Sequence, residues 1–243
     1  MNNNIFLSVV IPVYNEEDKI EKTLSTIMDY LKDKYPYEII VVDDGSRDDT
    51  PSIVRRMAKN LSCIKIFTNR VNRGKGYALK IGMTAANGKY VFFTDADLST
   101  SFKEIEKFLP YFEQGYDIVI GSRRMKESNI QIHQPFYREF MGKVYYWLAH
   151  TLIIKNITDF NCGFKGYRRE VAHTLYEKQS LERWGFDVEI LFLARKSEYK
   201  IKEIPVNWIN VKTTKVDLLK DSLRSFMELI QIRLNQLRGL YDK

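Results

Sequence analysis

The sequence predicts an α/β protein with a doubly wound, mainly parallel mixed sheet flanked by helices, followed by a C-terminal amphipathic helix. Two observations lead there. Short β-rich apolar runs alternate with amphipathic helical patterns through the first half of the chain, which is the pattern of strands buried on both faces. Acidic residues then follow directly after two of those runs, where open α/β sheets bind ligands.

The elements follow in order. LSVVIPVY reads as a first strand, and Ile20, Leu24, Ile27 and Leu31 after it recur at helical spacing. YEIIVVDD is a second strand. The helix after it is expected to open with Thr50 as N-cap and Pro51 at its first position. IKIFT leads to a helix starting near Lys75, and KYVFFTDAD leads to one capped by Ser101 with Glu104 three residues on. YDIVIGS closes the regular series. Further on, Phe136, Phe140, Val144, Leu148 and Thr151 mark one helix face, with Glu139, Lys143, Tyr146 and His150 opposite. A strand-like CGFKGY, a helix after Arg168 and a strand in KEIPVNW follow. A long helix over Val216 to Leu240 carries Leu219, Leu223, Phe226, Ile230, Leu234 and Leu237 on one stripe. The polar VKTTK around Lys212 to Lys215 marks the boundary, giving a main α/β domain over 1–212 and a helix over 213–243.

The composition bounds the function. At 243 residues, 44% hydrophobic and 28% charged, the chain can bury one sizeable core. Its formal charge of +7 asks for an anionic partner, which nucleic acid, a membrane surface or a phosphorylated substrate would each satisfy. Lys and Arg are scattered and no recognition motif appears, so nucleic acid is not expected. Cys63 and Cys162 are the only cysteines and suggest no disulfide framework. The first apolar run reads as a strand rather than a signal peptide. No stretch approaches the ~18 continuous apolar residues of a spanning helix.

Four carboxylates stand at strand ends: Asp43 and Asp44 after the second strand, Asp95 and Asp97 after the fourth. The D-D-G-S sequence is also good turn chemistry, so each pair alone fits a turn as well as a site. In an extended Asp95-Ala96-Asp97 segment, alternate side chains point the same way and could converge on one cation. Such hard oxygen ligands, completed by substrate phosphates, suit Mg²⁺ or Mn²⁺. The loop Asn72-Arg73-Gly74-Lys75-Gly76 reads either as a phosphate cradle or as a tight turn into the next helix, and it is not a Walker sequence.

In that order and spacing, VVIPVYNE, VVDDGSRDDT, NRGKGYAL, TDADLS and GSR resemble the inverting family-2 glycosyltransferases of the GT-A fold. ITDFNCGFKGY, RWGFDVEIL and EIPVNW narrow the resemblance to dolichyl-phosphate β-glucosyltransferases and their polyprenyl-phosphate relatives. Mannose synthases of the family typically have S-G-F-R over Cys162 to Lys165 and Gln at Asp187, so the glucosyl branch is favoured. The resemblance implies a nucleotide-sugar donor, UDP-glucose before GDP-mannose, and a polyprenyl-phosphate acceptor at the cytoplasmic membrane face. It implies Pro12, Asn15 and Glu16 at the nucleotide mouth, Asp43 and Asp44 on base and ribose, and Lys75 on the donor. Asp95, Ala96 and Asp97 would meet the diphosphate, with Asp95 and Asp97 on the metal. Some mannose synthases have a metal-touching Gln where this chain has Ser99. Arg123 and Arg138 match arginines that meet the lipid phosphate, while Asp159, Lys165, Asp187 and Glu189 would face sugar and acceptor. The catalytic set so implied is Asp97, Arg123 and Asp187, the alternative for Asp187 being a cap or ion pair on the helix that follows.

An anionic acceptor needs no strong general base, because its second phosphate pKa is about 6. It needs positive charge to meet it, and Arg123, Arg124, Lys126, Arg138 and Lys143 supply that better than a sugar-hydroxyl acceptor would require. The final helix, flanked by Lys212, Lys215, Lys220, Arg224, Arg233 and Arg238, is expected to lie on a membrane surface, to form a homodimer contact or to pack on its own domain.

Overall fold

The computed structural model describes residues 5–130, 136–209 and 218–242, with backbone alone at 136, 138, 139 and 218–222. Strand β1 (Leu7–Val13) runs into helix α1 (Ile20–Leu31), then β2 (Tyr37–Asp43), α2 (Thr50–Asn60), β3 (Ile64–Thr68), α3 (Lys75–Ala85) and β4 (Tyr90–Thr94). A short 3-10 turn over Phe102–Glu104 leads into α4 (Ile105–Glu113) and β5 (Ile118–Ser122). The remaining elements are β6 (Asn129–Ile130), α5 (Phe136–Leu152), β7 (Phe164–Arg168), α6 (Arg169–Lys178), α7 (Phe186–Lys196), β8 (Ile201–Pro205), β9 (Asn207–Trp208) and α8 (Leu218–Leu237).

Seven strands form one sheet in the order β3-β2-β1-β4-β7-β5-β8, and β6 and β9 pair separately. All partners in the large sheet are parallel except β7, which runs antiparallel between β4 and β5. The mainly parallel mixed sheet is therefore as expected.

Alternation along the strands sends neighbours to opposite faces. Val9, Ile11, Ile39, Val41 and Phe92 pack with α1, α2 and α4 on one side. Val10, Ile40, Val42 and Phe93 pack with α3, α6 and α7 on the other. The α1 face read from the sequence, Ile20, Leu24, Ile27 and Leu31, is fully buried. Close packing needs a glycine at 82, since a Cβ there would sit 2.3 Å from Val10 Cγ1.

Three local expectations change. Asp49 rather than Thr50 occupies the N-cap of α2, and the Thr50 hydroxyl instead accepts the Glu16 amide at 2.7 Å. Ser101 does cap the 3-10 turn but makes no side-chain bond to it, and Glu104 pairs with Lys107. On α5 the inward residues are Tyr145, Leu148 and Ala149, while Phe140 and Val144 are exposed and Tyr146 tilts onto Phe160.

Of the alternatives for the C-terminal helix, packing of the sequence stripe on its own domain does not hold, since other residues meet the core. Leu229 and Ile232 enter the core, followed by Tyr241 in the closing turn. Leu223, Phe226, Ile230, Leu234 and Leu237 face outward. The boundary at Lys212 to Lys215, Val216 and the side chains of Leu219 and Lys220 lie outside the described residues. Among the described residues no helix is long and apolar enough to cross a membrane.

Candidate functional site

The chain leaves β1 for β2 on one side and reaches β4 on the other, so the sheet has its switch point between β1 and β4. There β1 outruns its neighbour: pairing with β4 ends at Val10, while pairing with β2 continues to Val13. Pro12 lies in that overhang, where its missing N–H breaks no bond to β4. In open α/β sheets a ligand crevice lies at such a point, here beside the strand ends that carry the acidic residues.

The loops around it are cross-linked. Asn15, in the left-handed region at φ 53°, donates its amide to Ser46 Oγ and accepts the Arg47 amide on Oδ1. Asp43 is buried, with Oδ1 accepting the Ser46 amide at 3.1 Å. Its Oδ2 is buried with no partner among the described residues, and burial raises the carboxyl above its ordinary range. A buried acceptor left open in this way suits a ligand N–H.

Asp44 is committed differently. Its Oδ1 accepts Asn69 Nδ2 and the Arg73 amide, and its Oδ2 accepts the Gly74 amide at 2.7 Å. It therefore shapes the 72–76 loop, whereas the resemblance placed it with Asp43 on base and ribose. Gly74 adopts φ 121°, and a Cβ there would lie 2.6 Å from the Glu182 carbonyl oxygen. Arg73 forms an ion pair with Glu182 on the facing loop. A cavity of about 490 Å³ lies behind this loop, lined by Asn72, Arg73, Arg183, Arg224 and Glu228 among others but by none of the strand-end carboxylates.

Lys75, the first residue of α3, reaches Asp95 Oδ1 at 2.5 Å. The Asp95–Leu98 segment is a turn and not the expected extension: the Leu98 amide bonds to the Asp95 carbonyl and Leu98 sits at φ 49°. The Ala96 carbonyl is held by the Thr23 hydroxyl, and Asp97 Oδ1 accepts the Ser99 amide. A bulky residue at positive φ is costly and marks an over-determined site. Asp95 already carries a cation in the Lys75 ammonium, and its donor set is hard oxygen. A divalent ion fits such carboxylates when phosphate oxygens and water complete the shell. Among the described residues no group of three or more acidic, His or Cys side chains could cage one alone.

Deeper in, Lys165 is fully buried and donates to Asp187 Oδ1 at 2.5 Å and to the Cys162 carbonyl at 2.8 Å. Burial raises the Asp187 carboxyl, opposed by Lys165 and Lys75. Lys165 was expected to face sugar and acceptor, but both of these bonds turn it inward onto protein groups. Its role here is to hold Asp187.

On the β5 side, Arg123 gives its amide, Nε and Nη2 to the Asp159 carboxylate at 3.0, 2.7 and 2.8 Å. Burial pushes Asp159 up, yet the Arg123 charge and these bonds outweigh it and bring the pKa down to about 2. Glu203 in turn accepts the amides of Thr158 and Asp159. Asp159, expected to face sugar and acceptor, is only 2% exposed and orients Arg123, whose guanidinium lies 5.4 Å from the Trp208 ring.

Glu189 departs furthest from expectation. It is fully buried and accepts the Ser180 and Leu181 amides, the Ser180 hydroxyl and the Tyr241 hydroxyl. It ties the C-terminal turn to the loop before α7. Glu228 of α8 adds a second tie, accepting the Gly185 amide at the start of α7 at 2.7 Å. Sequence reasoning missed Glu203 and Glu228, and nothing in their local sequence signals either role. The Arg138 side chain lies outside the described residues, on α5.

The family model for Glycosyl transferase family 2 matches residues 8–176. A dolichyl-phosphate beta-glucosyltransferase of Dictyostelium discoideum is 35% identical over 98% of this chain and 77% of its own length. One of Saccharomyces cerevisiae is 34% identical over 99% of this chain and 78% of its own. Among solved structures, glucosyl-3-phosphoglycerate synthase from Mycobacterium tuberculosis, in complex with Mn²⁺ and UDP-glucose, superposes with a TM-score of 0.67 at 18% identity. That match covers 94% of this chain and 79% of the synthase.

Proposed function

The chain belongs to glycosyl transferase family 2, and on that premise we propose that it transfers glucose from UDP-glucose to a polyprenyl or dolichyl phosphate. Transfer inverts the anomeric carbon and takes place at the cytoplasmic face of a membrane. The observation that carries the reading is the Lys75–Asp95 ion pair after β4, with Asp43 ending β2 beside the β1 overhang at the switch point. Similarity over nearly the whole chain to proteins named for glucosyl transfer to dolichyl phosphate supports it.

In this reading the open Asp43 oxygen accepts an N–H of the uracil, with Asn15 and Glu16 beside it at the nucleotide mouth. Asp44 keeps the 72–76 loop in the shape that offers Lys75 to the diphosphate. Asp95 and Asp97 hold Mg²⁺ or Mn²⁺, which when bound stabilises charge growing on the leaving diphosphate. Arg123, aimed by Asp159, and Arg138 receive the acceptor phosphate, whose own charge makes it the nucleophile. Asp187, fixed by Lys165, orients a sugar hydroxyl. The outward apolar residues of α5 and α8, Trp147 at 62% and Leu223 at 63% exposed among them, with Arg224 and Arg238 nearby in sequence, suit an anionic lipid interface.

The test is a panel of radiolabelled nucleotide-sugars with dolichyl phosphate, run with Mn²⁺ and with excess chelator. Lipid-linked glucose from UDP-glucose, abolished by chelator, is expected. Transfer of mannose from GDP-mannose in its place would overturn the donor assignment.

A further inference from the structure

We propose that Lys75 is the resident counter-ion of Asp95 and competes with the divalent cation for it, so that cation and nucleotide diphosphate bind together. The inference rests on the metal-dependent reading above and concerns how this chain loads its site.

The pair is built in and is not a chance surface contact. Lys75 Nζ lies 2.5 Å from Asp95 Oδ1, with the lysine side chain 18% exposed. Its backbone is fixed by Gly74, which is wedged against the Glu182 carbonyl oxygen and bonded to Asp44. Asp95 lies close to the Gly163 backbone, since a Cβ on Gly163 would collide with its Oδ2, and its side chain is 38% exposed. The carboxylate thus sits between the Gly163 backbone and the Lys75 ammonium.

A bare divalent ion approaching Asp95 must displace that ammonium and tolerate its charge nearby. The nearby carboxylates bring little relief, because Lys165 holds Asp187 at 2.5 Å and Asp97 already accepts the Ser99 amide on Oδ1. A diphosphate changes the balance. Its negative oxygens can lie between ammonium and metal, attracting both and screening their mutual repulsion. Lysine suits this exchange, being a compact charge on a flexible stem that can move from carboxylate to phosphate. Cation affinity should thus be weak in the nucleotide-free protein and strong with UDP.

The experiment titrates Mn²⁺ by electron paramagnetic resonance into wild type, Lys75→Met and Lys75→Arg, each with and without UDP. Losing an ion pair of this exposure should tighten Mn²⁺ binding to the nucleotide-free Met variant by about five- to tenfold. The enhancement by UDP should shrink, and turnover should fall. Lys75→Arg, which keeps the charge, should bind Mn²⁺ as weakly as wild type without UDP. A structural defect would lower cation affinity and turnover together, so opposite signs identify competition. Unchanged or weaker Mn²⁺ binding by nucleotide-free Lys75→Met overturns the proposal. If wild type takes up no Mn²⁺ even with UDP, the metal-dependent reading itself fails and the competition with it.

Discussion

Replacing Asp159 by Asn keeps the shape of the side chain and removes the charge that holds Arg123. In the wild type the Asp159 pKa falls from 3.8 to about 2 in the fold, which corresponds to about 2.5 kcal/mol of stability. The variant also leaves a largely buried guanidinium facing an amide, and breaking a buried pair costs roughly 3–5 kcal/mol where no water reaches it. Arg123 keeps some solvent access, 24% of its side chain, so the expected loss is about 2–4 kcal/mol. In a chain of this size that lowers Tm by roughly 5–12 °C. The sign with pH is determined as well. A depressed carboxyl contributes stability that is fully present above its unfolded pKa and lost as pH falls through the folded value. The gap between wild type and Asp159→Asn should be constant above about pH 5 and close from pH 4 towards pH 2. Urea unfolding of both proteins at several pH values between 3 and 7 measures it. Acceptor-dependent transfer should fall in parallel while UDP affinity holds, because only the arginine loses its aim. A gap below about 0.5 kcal/mol, as for an ordinary surface change, or one that widens on acidification, would refute the assignment of Asp159 as the residue that holds Arg123.

Arg138→Ala should lower the acceptor-dependent rate about ten- to a hundredfold, the loss of charge-assisted bonds worth roughly 1.5–3 kcal/mol. Arg138→Lys should restore part of it, and loss of UDP affinity in either variant would assign the residue to the donor. For the membrane contact, deleting α8 would also remove buried Leu229, Ile232 and Tyr241, so a surface variant is the cleaner perturbation. Combining Leu223→Ser, Ile230→Ser and Leu237→Ser should leave Tm nearly unchanged and cut binding to vesicles of anionic lipid by more than about tenfold. Undiminished flotation of that variant would place the lipid contact elsewhere, and a dimer that dissociates on substitution would assign the stripe to self-association.

The α/β architecture was legible because the signals that specify it are local. Alternation in LSVVIPVY and YEIIVVDD states which residues share a sheet face, and Ile20 to Leu31 states which helix face they meet. Strand ends and their acidic residues follow from the same reading, so Asp43 and Asp95 were placed at strand ends, and Lys75 at a helix start, without coordinates. The partners of charged side chains were not legible. Lys165 meets Asp187 across 22 positions, Arg123 meets Asp159 across 36 and Tyr241 meets Glu189 across 52. Three residues assigned by resemblance to sugar and acceptor, Asp159, Lys165 and Glu189, proved to be bound to protein groups. The α8 stripe left its partner open for a related reason. Periodicity reports that a helix has an apolar side, but which side meets the domain is decided by what lies opposite. Here Glu228 and Asn235 bond to Gly185 and Ser180 before α7, Leu229 and Ile232 enter the core and the helix packs on α5, so the longer stripe is left outward. Burial and charge pairing are properties of the surroundings, and the chain brings those surroundings together only when it folds.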